Sequence, residues 1–172
     1  VFDYLPRAYR SAFRDAKADP VAREKMANAS AIAGIAFANA FLGINHSLSH
    51  KIGGWFHIPH GTANALLFPF VCRFNAQRHP YKMGTFSQYK YPQAFERYVE
   101  LGELIGVKGK TDEQTFENWI KACQQLKKDL DIPETILDWL LEAHPEKTAE
   151  EWEREFLAAV DQMSEWAFHD AC

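Results

Sequence analysis

Apolar residues recur at helical spacing along most of the chain, and this periodicity is the strongest constraint on its fold. One stripe runs over residues 116–130 and another over residues 152–167, each with apolar side chains three or four positions apart. That spacing places them on one face of an α-helix, whereas a half-buried strand would alternate apolar and polar residues. No segment of the sequence alternates convincingly. The sequence therefore predicts an all-α fold, a helical bundle that forms one domain over residues 1–172.

A long helix is predicted near the start of the chain. Asp19 can cap it, and Pro20 fits its first turn, where the missing N–H costs nothing. The helix continues to about Leu42, and after Ala29 it is apolar almost all round. Such helices are usually buried, so we expect this one to lie in the core. Residues 1–5 are interpreted as the end of an earlier helix, and the chain as a piece of a longer protein.

Glycine, proline and capping residues mark the boundaries of the later helices. We predict a helix over residues 45–52 that stops at Gly53-Gly54, a helix over residues 61–75, and a long loop over residues 79–91. A further helix is predicted over residues 92–106.

Two capping boxes precede the apolar stripes. They pair Thr111 with Gln114 and Thr148 with Glu151. In each box the threonine side chain can accept a hydrogen bond from an N–H of the first turn that has no partner in the helix. The Gln or Glu side chain can in turn accept from the backbone N–H of the threonine. The pattern predicts that a helix begins at each threonine.

Composition and charge exclude several classes of protein. The 172 residues are 47% apolar, which excludes a disordered chain, and the longest apolar run, residues 31–44, is too short to cross a bilayer. No secretory signal opens the chain, and three cysteines without a CxxC pair fit a reducing compartment. We therefore expect a cytoplasmic protein with no membrane partner. Residues 1–110 carry 14 Lys/Arg against 7 Asp/Glu, but these are scattered and form no nucleic-acid-binding motif, so we expect no nucleic-acid partner.

Four of the seven histidines fall within fifteen residues, at His46, His50, His57 and His60. His46 and His50 are four positions apart and project from one helix face, and His60 stands at a Pro-His-Gly corner where the next helix begins. Three imidazoles placed in this way can converge on one divalent ion, and neutral imidazole suits zinc, iron, copper or nickel. The alternative is that they are ordinary polar residues near a helix–helix turn. His57 follows two aromatic residues, which favours a packing or surface role.

Three neighbouring segments carry a resemblance to a known family. They are residues 33–43 (AGIAFANAFLG), residues 45–54 (NHSLSHKIGG) and residues 56–61 (FHIPHG). Together they resemble the signature of the iron-containing alcohol dehydrogenases, in particular the alcohol dehydrogenase half of bifunctional aldehyde–alcohol dehydrogenases. The likeness continues along nearly the whole chain, which is similar to the helical C-terminal domain of that family.

The resemblance implies roles for individual residues. Members of the family hold an active-site metal with one Asp and three His, and the last two of these histidines correspond to His46 and His60. The histidine between them, His50, lies near the nicotinamide and the substrate in that family, is not usually a ligand, and is implied to have a catalytic or orienting role, for which proton transfer is the expected chemistry. Ser49 stands where many relatives have alanine.

The remaining parts of the resembled site have no counterpart in this sequence. The family's Asp and first metal-binding His form a D-x3-H pattern, which occurs nowhere here. Both would precede Val1, as would the α/β domain that binds NAD through a glycine-rich loop. We therefore expect this chain to supply two of four metal ligands, His46 and His60, and to be inactive alone.

The function implied by the resemblance is that of an NAD-dependent, metal-dependent alcohol dehydrogenase of fermentative metabolism. It would interconvert short-chain aldehydes and primary alcohols, with Fe²⁺ as the expected ion and Zn²⁺ as the alternative. The parent enzyme is expected to be a homo-oligomer that binds NAD(H) through the preceding domain. Two other readings stay open at this point: a non-catalytic helical assembly or interaction module, and a simple metal-binding helical domain.

Overall fold

The computed structural model describes residues 1–14, 18–77 and 93–170, and in these residues the fold is all-α, with no strand. The helices, in chain order, are α1 (Leu5–Phe13), α2 (Pro20–Ala40), α3 (Ile44–Phe56), α4 (His60–Asn75), α5 (Ala94–Leu104), α6 (Asp112–Asp129), α7 (Ile136–Ala143) and α8 (Ala149–Phe168). The all-α prediction is therefore confirmed. The loop predicted over residues 79–91 lies outside the described residues.

The predicted helix starts at Asp19 and Thr148, which were based on capping side chains, are confirmed. Asp19 accepts a hydrogen bond from the backbone N–H of Ala22 over 3.0 Å, and α2 begins at the next residue, Pro20. At α8, Thr148 accepts from the N–H of Glu151, and the Glu151 carboxylate accepts in return from the N–H of Thr148. These bonds satisfy N–H groups that have no partner within the helix itself.

Two other caps differ from the prediction or extend it. Thr111 accepts from the N–H of Gln114, but the Gln114 side chain accepts from the N–H of Lys110 rather than from that of Thr111. The box is therefore displaced by one residue. A further capping box, Thr135 with Asp138, starts α7 and was not predicted, because the short helix gives little apolar periodicity.

The predicted end of the helix over residues 45–52 is wrong. α3 does not stop at Gly53-Gly54 but continues through both glycines to Phe56, and His57 ends it in the left-handed conformation with φ 56°. A Cβ atom on Gly53 would lie only 3.1 Å from the carbonyl oxygen of Ile58, so the glycine leaves room for the chain to turn back. Residues 1–5, interpreted as the end of an earlier helix, form a turn in which the N–H of Leu5 donates to the carbonyl oxygen of Val1, and α1 begins at Leu5; that interpretation stays a prediction.

The expectation that the apolar helix α2 lies in the core is also wrong for the chain as described. Ile32 and Ile35 are each 67% exposed, and Phe37 is 47% exposed. α2 has 21 residues and packs against α1, which has nine. At about 1.5 Å per residue, α1 is too short to cover the far half of α2. The apolar face of that half is therefore left uncovered by the described residues.

The chain divides into two compact units, one formed by residues 1–67 and 126–172 and the other by residues 68–125. In the first unit α3 packs against α8, and α7 also packs against α8. Its core contains Ile52, Phe56, Leu140, Trp152 and Met163, among others. The candidate site lies on the α3 side of this unit.

The second unit has its own core, in which Phe95 and Val99 of α5 pack with Trp119 and Ile120 of α6. Gly102 of α5 makes the close approach possible, because a Cβ atom there would lie 2.9 Å from Cγ2 of Thr115. The interpretation of residues 1–172 as a single domain stays a prediction.

Within the described part of the chain, no single helix is long and apolar enough to cross a membrane. α2 and α3 together would pass that test, but they are bent by 107° at the break between them.

Candidate functional site

Three of the clustered histidines come together at the junction of α3 and α4. His46 and His50 lie one turn apart on α3, and His60 is the first residue of α4. The ring centroid of His60 is 5.2 Å from that of His46 and 5.1 Å from that of His50. The helical spacing and the Pro-His-Gly corner therefore predicted the grouping correctly. His57 ends α3 as an exposed residue, and its role stays a prediction.

Hydrogen bonds hold the His60 ring on both sides. Its Nδ1 lies 3.2 Å from Oγ of Ser49, a residue of α3 with no exposed surface. Its Nε2 lies 3.1 Å from Nδ2 of Asn64, one turn further along α4. Asn64 is itself held by Asn45, whose Nδ2 donates to Oδ1 of Asn64 over 2.6 Å. Polar side chains of α3 thus fix the first turn of α4.

The environment of His46 favours the neutral imidazole. Burial lowers the pKa of His46 below its ordinary value, and the neighbouring rings of His60 and His50 lower it further. Only a neutral imidazole has a ring nitrogen lone pair with which to bind a metal ion. His46 therefore matches the protonation state required of a ligand.

His50 has a different partner. Its Nδ1 lies 3.2 Å from Oδ2 of Asp170, just beyond the end of α8. Lys51 binds the same carboxylate oxygen with its Nζ at 2.7 Å. Because an ionised carboxylate can only accept hydrogen bonds, Nδ1 of His50 carries a proton, and in the neutral form of the ring the lone pair is therefore on Nε2.

The donor set fits part of a metal site. The imidazoles of His46 and His60 are chemically suited to iron or zinc. However, no group of three His, Cys, Asp or Glu side chains among the described residues has an arrangement that could hold a metal ion. The site of three histidine ligands that the spacing allowed is therefore not formed among the described residues. The positions of His46 and His60, with ring centroids 5.2 Å apart, are consistent with two ligands of a site that other groups complete.

Comparison with known proteins identifies the family. The model of the Fe-containing alcohol dehydrogenase family, C-terminal, matches residues 1–153. The chain belongs to this family. The resemblance carried by residues 33–61 is thereby confirmed, and the histidine cluster lies within the matched part of this iron-containing alcohol dehydrogenase sequence.

Individual relatives agree with this assignment. The bifunctional aldehyde-alcohol dehydrogenase AdhE of Escherichia coli K12 is 44% identical over an alignment of 172 positions, which covers 99% of this chain and 18% of the relative. The NADPH-dependent butanol dehydrogenase of Clostridium saccharobutylicum is 36% identical over 160 residues, 93% of this chain and 35% of the relative. The crystal structure of a 1,3-propanediol oxidoreductase matches with a TM-score of 0.70 and 30% identity, covering 99% of this chain and 37% of that structure.

The chain thus spans 18% of the length of the aldehyde-alcohol dehydrogenase and 37% of the solved structure. The structure also brings to the histidine cluster one residue, Asp170, that sequence reasoning missed. Asp170 lies 120 positions from His50 and outside the matched residues 1–153, so neither local spacing nor the family motif could point to it.

Proposed function

We propose that this chain is the metal-binding and catalytic part of an alcohol dehydrogenase that interconverts short-chain aldehydes and primary alcohols with NAD(H). The observation that carries the proposal is the grouping of three histidines at the junction of α3 and α4, where the ring centroid of His60 is 5.2 Å from that of His46 and 5.1 Å from that of His50. Family membership supports the reaction type. The names of the relatives, butanol dehydrogenase among them, support small alcohols as substrates.

His46 and His60 would hold a divalent metal, with Fe²⁺ as the expected ion and Zn²⁺ as the alternative. When bound, such an ion supplies Lewis-acid polarisation of the substrate oxygen. The two residues lie on adjacent helices, and the lowered pKa of His46 favours the neutral form that binds a metal ion. The remaining ligands would come from outside the described residues.

His50 would move the proton that accompanies hydride transfer. Its Nδ1–H donates to Asp170, which orients the ring and stabilises a positive charge on it. Nε2 can then accept a proton during alcohol oxidation and return it during aldehyde reduction, and imidazole suits both directions near neutral pH. His50 is therefore assigned a catalytic role rather than that of a ligand.

Cofactor, location and assembly belong to the same proposal. NAD(H) would bind to a domain that precedes this chain in the parent enzyme, so the 172-residue chain alone would show no turnover. The parent would be a cytoplasmic homo-oligomer of fermentative metabolism, with no nucleic-acid or membrane partner. NADPH is the alternative cofactor, because one relative is named for it.

The proposal is tested by assaying the complete natural protein for acetaldehyde reduction. Apo protein reloaded with Fe²⁺ or Zn²⁺ should oxidise NADH when acetaldehyde is added, and removal of the metal by a chelator should abolish the reaction. NADPH in a parallel assay identifies the preferred cofactor. A metal-loaded protein that reduces no short-chain aldehyde with either cofactor contradicts the proposal and favours the assembly or simple metal-binding alternatives.

A further inference from the structure

A directed chain of hydrogen bonds passes through His60. Nδ2 of Asn64 lies 3.0 Å from the backbone carbonyl oxygen of His60, which can only accept, so this atom of Asn64 is the amide nitrogen. The same nitrogen lies 3.1 Å from Nε2 of His60 and must donate to it. Nε2 therefore carries the lone pair, and the proton of the neutral His60 ring is on Nδ1.

The other side of the ring agrees with this assignment. Oγ of Ser49 lies 3.0 Å from the carbonyl oxygen of His46, to which the hydroxyl donates its one proton. Oγ can then only accept from His60, whose Nδ1 is 3.2 Å away. The bonds thus run in one direction, from Asn45 through Asn64, His60 and Ser49 to the carbonyl of His46.

We propose that Ser49 is a positioning residue for metal binding, because it accepts the Nδ1 proton of His60 and so keeps the Nε2 lone pair of His60 available to the ion. Outer partners of metal-binding histidines commonly act in this way, fixing both the tautomer and the ring orientation. The proposal rests on the ligand role of His60 in the proposed function. Asn64 occupies Nε2 in the absence of metal and gives it up when the ion binds.

The burial of Ser49 makes the effect specific. Ser49 has no exposed surface, and its Oγ is the protein acceptor 3.2 Å from Nδ1 of His60. With alanine at this position, the Nδ1 proton would lose its acceptor inside the protein, and the tautomer with the proton on Nε2 would gain population. That tautomer has no lone pair on the nitrogen that faces Asn64.

The experiment measures two quantities, the tautomer of His60 and the affinity for Zn²⁺. In the metal-free 172-residue chain, NMR of ¹⁵N-labelled histidine should show His60 protonated on Nδ1, at a pH high enough to keep the ring neutral. Ser49→Ala should lower the population of this form and weaken Zn²⁺ binding, measured by chelator competition, by about 10–100-fold. Ser47→Ala is the matched control, since Ser47 is also a buried serine of α3 but lies on another face, and both readouts should stay unchanged.

Two results would overturn the proposal. One is a wild-type spectrum with the His60 proton on Nε2, which decides the matter even if Ser49→Ala does not fold. The other is a folded Ser49→Ala chain with unchanged tautomer and Zn²⁺ affinity. Because the tautomer is measured without metal or substrate, a complete protein that fails to reduce aldehydes would refute the proposed function without altering this result.

Discussion

His50 donates a hydrogen bond from Nδ1 to Oδ2 of Asp170 over 3.2 Å, although the two residues are 120 positions apart. The contact exists because α3 packs against α8 and Asp170 lies two residues beyond the end of α8. Lys51, the next residue on α3, binds the same carboxylate oxygen. The ring of the proposed proton carrier is therefore oriented by a residue from the far end of the chain.

Removing the charge of Asp170 should slow catalysis without removing the metal. Asp170→Asn weakens the acceptor for Nδ1 of His50 and the stabilisation of a positive charge on the ring. In the complete protein we expect kcat to fall, by less than in His50→Ala, and the pH profile of kcat to change. Metal content, measured by elemental analysis, should stay at the wild-type level.

A matched control for this variant is Glu165→Gln, which neutralises an exposed acidic residue of the same helix region. It should leave kcat and its pH profile unchanged. A loss of activity as large as that of Asp170→Asn would show that the effect comes from general charge rather than from the contact with His50.

The three histidines should separate into two classes when each is replaced. In the complete protein, His46→Ala or His60→Ala should lose metal and activity together, because each is a proposed ligand. His50→Ala should keep most of its metal while turnover falls by roughly 10²–10⁴-fold, as is typical when an acid–base group is lost. If His50→Ala loses metal as completely as His46→Ala, His50 is a ligand and its assignment as a proton carrier is wrong.

The sequence predicted the helices well where the signal was local. Asp19 and Thr148 cap the helices that they were expected to cap, because a capping bond spans only three residues. The grouping of His46 with His60 could likewise be predicted from the sequence, since His46 lies on α3 and the Pro-His-Gly corner places His60 at the start of the next helix.

Features that depend on tertiary packing could not be predicted from the sequence in this way. Glycines at 53 and 54 ordinarily favour a helix end, but here α3 continues because Gly53 leaves space for the carbonyl of Ile58. The apolar composition of α2 predicted burial, yet composition cannot show which element covers a helix, and Ile32 is exposed. Asp170 could not be found for the same reason, because its partner is distant in sequence.

Gly102 should tolerate no side chain. A Cβ atom there would lie 2.9 Å from Cγ2 and 3.1 Å from the carbonyl oxygen of Thr115, and the backbone oxygen cannot rotate away. We expect Gly102→Ala to lower the free energy of unfolding by about 1–3 kcal/mol, the usual cost of overpacking. Urea denaturation followed by circular dichroism measures the change.

Gly34→Ala is the matched control for this substitution. Gly34 also lies within a helix, α2, but a Cβ atom there would meet nothing within 4 Å. Alanine should therefore leave the free energy of unfolding unchanged or raise it by up to about 1 kcal/mol through its helix propensity. Equal destabilisation by both substitutions would contradict the close approach of α5 and α6.

The carboxylate of Asp131 should make the stability of the first unit depend on acid pH. Asp131 accepts a hydrogen bond from the hydroxyl of Tyr9 over 2.7 Å and forms an ion pair with Arg14, which ties α1 to the turn after α6. These contacts, that of Tyr9 foremost, hold the pKa of Asp131 below its ordinary value of 3.8. The stabilisation is therefore present above that ordinary value and is lost as the pH falls through the lower pKa of the folded state.

Asp131→Asn isolates this effect. Asp131 has a positive φ of 55°, and asparagine accepts this conformation as readily as aspartate, so the substitution removes the charge without straining the turn. Thermal unfolding should give the largest difference in Tm between wild type and variant at neutral pH, and the difference should vanish in strong acid. Tyr9→Phe should give an intermediate result, since the ion pair with Arg14 remains. A difference in Tm that is constant over the whole pH range would show that the carboxylate charge contributes nothing to the link between α1 and this turn.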